Sequence, residues 1–274
     1  MPVFNTIADL RAALKPLRDG GIAMVPTMGA LHAGHVSLVT EAKARAPHVV
    51  VSIFVNPTQF APNEDFDAYP RTLDADLAKL PPDTIVFAPN AREMYPDGFA
   101  TTITVGGPSQ GLETDFRPHF FAGVATVVAK LLIAAAPDVA VFGEKDYQQL
   151  LVVKQLVRDL GLATTIIGAP TLREADGLAM SSRNAYLSPD ERAVAARLNV
   201  ILKEVIAALH GHGDLRAAEG AAVDALWKAG FSHVDYVAIR DAETLAHITT
   251  LERPARILAA AKIGKTRLID NMAI

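Results

Sequence analysis

Pro26-Thr27-Met28-Gly29-Ala30-Leu31-His32-Ala33-Gly34-His35 follows a short apolar run, Ile22 to Pro26, and leads into a stretch of helical periodicity, Gly34 to Arg45. A strand, a tight turn and a helix in that order form the opening unit of a parallel sheet. The turn after the first strand of such a sheet binds phosphate, because the helix start offers N–H groups without intrahelical partners and the positive end of its dipole. His32 and His35 are three apart and point to one side of the helix start. Two imidazoles there can hydrogen-bond or neutralise phosphate oxygens, and Gly34 lets a ligand approach the backbone closely. Two other readings are a surface turn with incidental histidines and a zinc pair. The second lacks the glutamate of an HExxH helix and an evident third ligand.

Outward from this turn the alternation continues. Asp9 to Leu17 has helical spacing, Val49 to Val55 is a β-branched buried strand, Leu73 to Leu80 a short helix and Thr84 to Ala88 a strand. Gly123 to Ala135 reads as a helix, Val139 to Phe142 as a strand, Tyr147 to Leu160 as a helix and Thr164 to Ile167 as a strand. This is an α/β pattern: a Rossmann-like parallel sheet with helices on both faces. The pattern changes near residue 188. Ser188-Pro189-Asp190-Glu191 is a capping box that opens one amphipathic helix through Val194, Leu198, Ile201, Leu202, Val205, Ile206 and Leu209. A second helix, Leu215 to Ala229, and three β-like segments, Val234 to Ile239, Arg256 to Ala261 and Arg267 to Ile269, complete a smaller C-terminal α+β domain. The boundary falls between Pro170 and Ser188; we draw it after Leu172, giving domains 1–172 and 173–274, the second acting as a lid.

Half of the 274 residues are hydrophobic, enough for a sizeable core. A net charge of −4 gives no global attraction for nucleic acid or an acidic membrane, so positive charge for an anionic substrate must be local. The absence of cysteine excludes disulfides and thiolate metal sites and suits a cytoplasmic protein. Met1 to Leu17 is not a signal peptide, and the longest apolar region, Gly123 to Phe142, is broken by Lys130, Pro137 and Asp138.

Three further segments carry chemistry. Phe142-Gly143-Glu144-Lys145-Asp146-Tyr147 ends a predicted strand, where Lys145 can set positive charge against phosphate; the alternative is a solvated turn. Met180-Ser181-Ser182-Arg183-Asn184 offers hydroxyls and a guanidinium to a polyphosphate, or is a polar linker. Asn56-Pro57-Thr58-Gln59-Phe60 ends the second major strand, where amide side chains can recognise a small polar substrate, with the loop 61–70 as a candidate cover. Gly264-Lys265-Thr266 resembles the end of a Walker A loop, but Ala259 stands where its first glycine should be, so it reads as a turn.

The HxGH turn and the Met-Ser-Ser-Arg segment together are similar to the HIGH/KMSKS pair of the adenylate-forming nucleotidyltransferases. The fuller series, PTMGALHAGH, SIFVNPTQF, DAYPRT, FGEKDYQQL, MSSRN, DYVAIRDAETL and KIGKTRLIDN, resembles the pantothenate synthetase family from about Ile22 to Asn271. The resemblance implies an ATP-dependent ligase of coenzyme A biosynthesis. Pantoate would attack the α-phosphorus of ATP, and β-alanine would then convert the pantoyl-adenylate to pantothenate and AMP. It also implies magnesium and a homodimer. Carried over by position, Met28, Gly29, Ala30, Leu31, His32, Ala33, Gly34 and His35 match the first ATP segment, with the two histidines on the phosphates. Gly143, Glu144, Lys145 and Asp146 match the second, and Met180, Ser181, Ser182 and Arg183 the third. Leu172 matches a backbone contact to adenine. Gln59 matches a contact to pantoate and β-alanine, Gln149 one to pantoate, and Asp76 is a candidate magnesium ligand; Asn56, from the amide segment, is a further candidate substrate-binding residue. One departure stands out: the family reads RPGHFxGV where this chain has Arg117-Pro118-His119-Phe120-Phe121-Ala122-Gly123-Val124, so no family role passes to His119.

The residues alone leave competing functions open: a nucleotidyltransferase that stops at the adduct, a tRNA synthetase-like protein, and a nucleotide-binding regulatory module. An amine co-substrate separates the first from a ligase, the lack of a basic tRNA surface disfavours the second, and the third binds ATP without turnover.

Overall fold

The computed structural model describes residues 1–61, 64, 66–209 and 214–274. Three residues of the loop 61–70 read as a cover, 62, 63 and 65, lie outside the described residues. The chain separates into two compact units: Met1–Glu144 with Gln149–Pro170, and Lys145–Gln148 with Thr171–Ile274.

The first unit is built on six parallel strands: β1 (Val3–Phe4), β2 (Ile22–Thr27), β3 (His48–Ile53), β4 (Ile85–Phe87), β5 (Val139–Gly143) and β6 (Thr165–Ala169). Their order is β1-β4-β3-β2-β5-β6, every pair parallel. The connecting helices are α1 (Ile7–Leu14), α2 (Ala33–Lys43), α3 (Leu73–Leu77), α4 (Ala91–Met94), α5 (Glu113–Phe116), α6 (Phe120–Ala135) and α7 (Tyr147–Asp159). Central strands covered on both faces must be apolar throughout, and Ile22 to Val25 are fully buried. Ala23, Val25, Val49, Val51 and Val141 pack with Leu31, Val39 and Ala42 of the turn and helix that follow β2. α6 is buried on nearly every face. Its Gly123 touches the chain after β3: a Cβ there would meet the Thr58 carbonyl oxygen at 2.4 Å and the Gln59 nitrogen at 2.8 Å. Only glycine permits that approach.

In the second unit, helices α8 (Pro189–Ala195), α9 (Arg197–Leu209) and α10 (Leu215–Ala229) accompany an antiparallel sheet of β7 (His233–Asp241), β8 (Ala255–Ile263) and β9 (Thr266–Ala273). Leu198, Ile201, Leu202 and Val205 of α9 share a core with Leu226 of α10 and Ile239, Ile257 and Ala259 of the sheet. The capping box forms: Ser188 Oγ accepts from the Glu191 N–H at 3.3 Å, and Glu191 Oε2 accepts from the Ser188 N–H at 2.9 Å. The single helix expected after it is divided at Ala196, whose N–H turns to the Val194 carbonyl. Nothing in the residue types there announces the break. Gly264-Lys265-Thr266 is the turn and first residue of the β8–β9 hairpin, with Ile263 paired to Thr266 and Gly264 at φ +53°.

Among the described residues no helix is long and apolar enough to cross a membrane.

Candidate active site

Strand order reverses between β2 and β5: β3 and β4 lie to one side of β2, β5 and β6 to the other. Ligands of open parallel sheets bind at the carboxyl ends of strands at such a switch point. The end of β2 leads to Met28–His32, the end of β5 to Gly143 and Glu144, and the end of β3 to Asn56–Gln59. Three segments chosen from sequence are thereby gathered on one sheet edge.

The turn after β2 is held by its own side chains. His32 N-caps α2, its Nδ1 accepting from the Gly34 N–H at 3.1 Å; His35 Nδ1 accepts from the His32 N–H at 3.3 Å. A ring whose Nδ1 accepts carries its proton, when neutral, on Nε2. Each imidazole therefore has Nε2–H as its donor, and the two ring centroids are 4.1 Å apart. The Gly29 N–H donates to Thr27 Oγ1 at 3.2 Å, and the His35 and Val36 N–H groups donate to the His32 carbonyl. Most of the N–H groups expected to await phosphate are thus already bonded. The two imidazoles and the α2 dipole lie together at this turn, where both can attract an anion.

Asp76, expected as a magnesium ligand, completes the turn. Its side chain is fully buried; Oδ2 accepts from the Ala30 N–H at 2.9 Å and Oδ1 from the Leu31 N–H at 2.7 Å. Each carboxylate oxygen thus takes one backbone donor of the turn. Among the described residues no group of three or more His, Asp or Glu side chains is arranged to hold a metal ion.

Asn56, expected among the substrate-binding residues, is buried with both ends of its amide engaged. Oδ1 accepts from the Thr58 N–H (3.3 Å), Thr58 Oγ1 (3.0 Å) and the Tyr95 hydroxyl (2.7 Å). Nδ2 donates to the Gly123 carbonyl at 3.2 Å and to Gln59 Oε1 at 3.1 Å. The bond from Asn56 fixes which end of the Gln59 amide faces the β2 turn: Gln59 Nε2 lies 2.9 Å from Met28 Sδ. Burial pushes the Tyr95 hydroxyl pKa up, partly offset by its bond with Thr58, so the phenol stays a donor. Arg117 braces the same segment, donating to the Gln59 carbonyl at 3.3 Å while paired with Glu64 at 2.5 Å and stacked over Phe120 at 3.9 Å. Sequence reading missed Tyr95 and did not give Arg117 this role; no local pattern marks either. His119 is exposed at the start of α6. Gln149 is half-buried on the first turn of α7.

The remaining predicted residues belong to the second unit. Leu172 and Met180 face each other, the Met180 N–H donating to the Leu172 carbonyl at 3.0 Å, and an Arg173–Ala179 bridge extends the pairing. Arg173 makes a two-pronged ion pair with the buried Asp270 of β9, at 2.8 and 2.9 Å. Ser181 caps the short 3-10 turn Ser182–Tyr186, accepting from the Arg183 N–H at 3.3 Å. Lys145 Nζ lies 3.9 Å from Asp146, and the Lys145 carbonyl accepts from Asn271 Nδ2 at 2.8 Å. Asn271 also accepts from Arg256, whose guanidinium stacks on Tyr147 at 3.6 Å. Polar residues interrupting the alternation of the last strand were the available signal for Asp270 and Asn271.

Comparison with known proteins agrees across the whole chain. A family model described as Pantoate-beta-alanine ligase matches residues 2–273. A pantothenate synthetase of Mesorhizobium japonicum is 59% identical, the match covering 99% of this chain and 97% of the relative; one of a Bradyrhizobium species is 56% identical, covering 99% and 98%. A crystal structure of pantothenate synthetase from Thermus thermophilus superposes with a TM-score of 0.93 at 45% identity, covering 99% of both chains. A pantoate–β-alanine ligase from Francisella tularensis, solved with β,γ-ATP and β-alanine, superposes with a TM-score of 0.83 at 37% identity, covering 99% of this chain and 97% of that one. With the switch-point turn, its paired histidines and the amide cluster after β3, these matches make the chain an enzyme that belongs to the pantoate–β-alanine ligase family.

Proposed function

We propose that the chain joins (R)-pantoate to β-alanine in two steps through a pantoyl-adenylate. A pantoate carboxylate oxygen attacks the α-phosphorus of ATP; the new O–P bond forms as the bond to the β-phosphate breaks, and diphosphate leaves with its electron pair. The β-alanine nitrogen then attacks the acyl carbon, the C–O bond breaks, AMP departs and the nitrogen loses a proton. The observation that carries this reading is the pair of Nδ1-capped histidines at the switch point, with Gln59 reaching the same turn. Phosphoryl centres need positioning and charge stabilisation more than covalent help, and Nε2–H donors provide both. The Francisella relative, solved with β,γ-ATP and β-alanine, supports the same substrates here.

Within this reading His32, His35 and Lys145 stabilise charge on the leaving diphosphate. The remainder of Met28–His35, Gly143–Asp146, Leu172 and Met180–Arg183 hold ATP, while Gln59 and Gln149 hold pantoate, with Gln59 also beside β-alanine. Magnesium travels on the phosphates of ATP as part of that substrate. A cytoplasmic homodimer completes the proposal, on the resemblance and the kinship together, and light scattering of the purified protein checks the pairing.

Pantoate labelled with oxygen-18 in its carboxylate tests the route. One labelled oxygen is expected in the phosphate of AMP, alongside pantothenate, only when ATP and β-alanine are both present. AMP free of label overturns the adenylate, and diphosphate release with AMP retained in a labelled adduct, even with β-alanine present, points to a nucleotidyltransferase.

A further inference from the structure

We propose that Asp76 is a positioning residue that acts as a built-in anion for the turn after β2. It occupies the backbone donors that a phosphate would otherwise take and fixes the bend from which the two histidines follow. The idea rests on the reading of this turn as the ATP-phosphate site. Three observations carry it. Gly29 and Ala30 are consecutive left-handed residues, at φ +84° and +50°. Ala30 is not glycine, so the conformation is strained and persists only where its surroundings over-determine it. Asp76 does so by accepting from the N–H of Ala30 and of Leu31, the two residues that close the bend. A Cβ on Gly29 would meet Asp76 Oδ2 at 3.1 Å and Ile53 at 3.2 Å, so carboxylate and turn are fitted to each other.

Lys79 grips the other side. Its ammonium donates to the Leu31 carbonyl at 2.6 Å and lies 3.8 Å from Asp76. Leu31 is therefore held at both its N–H and its carbonyl by α3 and the residues just after it. Leu31 directly precedes His32, whose ring caps α2 and whose N–H sets the His35 tautomer. Displacing the bend would misaim both Nε2–H groups. A misplacement of about 1 Å in a preorganised site costs on the order of 10² in rate.

Asp76→Asn tests this, because the amide keeps the shape but sets an NH2 against one of the two backbone donors. Pantoate-dependent exchange between diphosphate and ATP is measured across a magnesium titration, together with turnover of supplied pantoyl-adenylate and amide hydrogen exchange at residues 29–35. Expected are an exchange rate lowered about 100-fold at every magnesium concentration, a KM for ATP changed by less than about 5-fold, and near-normal aminolysis of the adenylate. Protection of Ala30 and Leu31 should fall about 10-fold, as one lost hydrogen bond implies. Recovery at high magnesium would make Asp76 a metal ligand and overturn the proposal, as would unchanged amide protection or equal loss of both half-reactions. If the wild type shows no pantoate-dependent exchange, the adenylate reading fails while amide protection still decides the clip. Should Asp76→Asn not fold, Lys79→Met, at an exposed side chain, replaces it: lowered Leu31 protection with slower exchange supports the clip, and neither change refutes it.

Discussion

At the scale of single residues, the proposed acid-substrate site is an amide held by other amides and hydroxyls. Gln59 is aimed by Asn56, and Asn56 is aimed by Thr58, Gly123 and Tyr95. A residue that touches substrate and one that only orients it should fail differently. Gln59→Ala is expected to weaken pantoate use strongly while ATP affinity stays nearly intact; equal loss of both would mean damage to the fold. Tyr95→Phe removes one donor from Asn56, whose Oδ1 still accepts from Thr58. A hydrogen bond contributes about 1 kcal/mol net, so the KM for pantoate should rise about 5-fold with kcat little changed. Steady-state kinetics with each substrate varied separately checks both variants.

Among the elements, the turn that ends β7 carries the second unit's clearest pH dependence. Asp241 Oδ1 accepts from the N–H groups of Glu243 (3.0 Å) and Thr244 (2.9 Å) and from the Thr244 hydroxyl (2.8 Å). The hydroxyl bond foremost, then the backbone bonds, hold this buried carboxyl below the ordinary carboxylate range, against the opposing effect of burial. A folded pKa below the unfolded value of about 3.9 gives stability that is present above that value and lost as pH falls through the folded one. Thermal unfolding between about pH 5 and 2 should therefore show a steep loss for the wild type. Thr244→Val should unfold at a lower temperature near neutrality and lose less on acidification. An unchanged acid limb would assign the loss to other carboxylates, such as Asp176, lowered chiefly by Arg192.

Over the whole molecule, the residues assigned to ATP are divided: His35 belongs to the first compact unit and Lys145 to the second. In the proposed route, negative charge accumulates on diphosphate only in the first half-reaction. Loss of one preorganised donor costs on the order of 10²–10³ in rate, about 3–4 kcal/mol of barrier. His35→Ala and Lys145→Ala should nearly abolish formation of pantoyl-adenylate from ATP. Given prepared adenylate, each should still make pantothenate at an appreciable fraction of the wild-type rate. Single-turnover kinetics separates the steps, and equal losses in both by a folded variant would refute this division of roles.

The sequence by itself determined the strands and most of the helices, because the β-branched runs at Val49 and Val139 and the periodicity of α6 and α7 are local properties of the chain. It also supplied the proposed site segments, since His32, His35, Gln59, Lys145 and Ser181 stand in short spacings that survive in one dimension. It underestimated the ends and the edges. β1 has two residues and exists because Val3 and Phe4 pair with Val86 and Phe87, more than eighty positions away. The roles of polar residues were the tertiary structure's to decide. Asp76 and Asn56 read from the sequence as ligands of metal and substrate, and only the fold shows that they also hold backbone: Leu31 for Asp76 and Gly123 for Asn56, 45 and 67 positions distant. A buried polar group must find a hydrogen-bond partner, but which partner depends on what the fold brings within about 3 Å. That is a property of packing, which spacing along the chain does not carry.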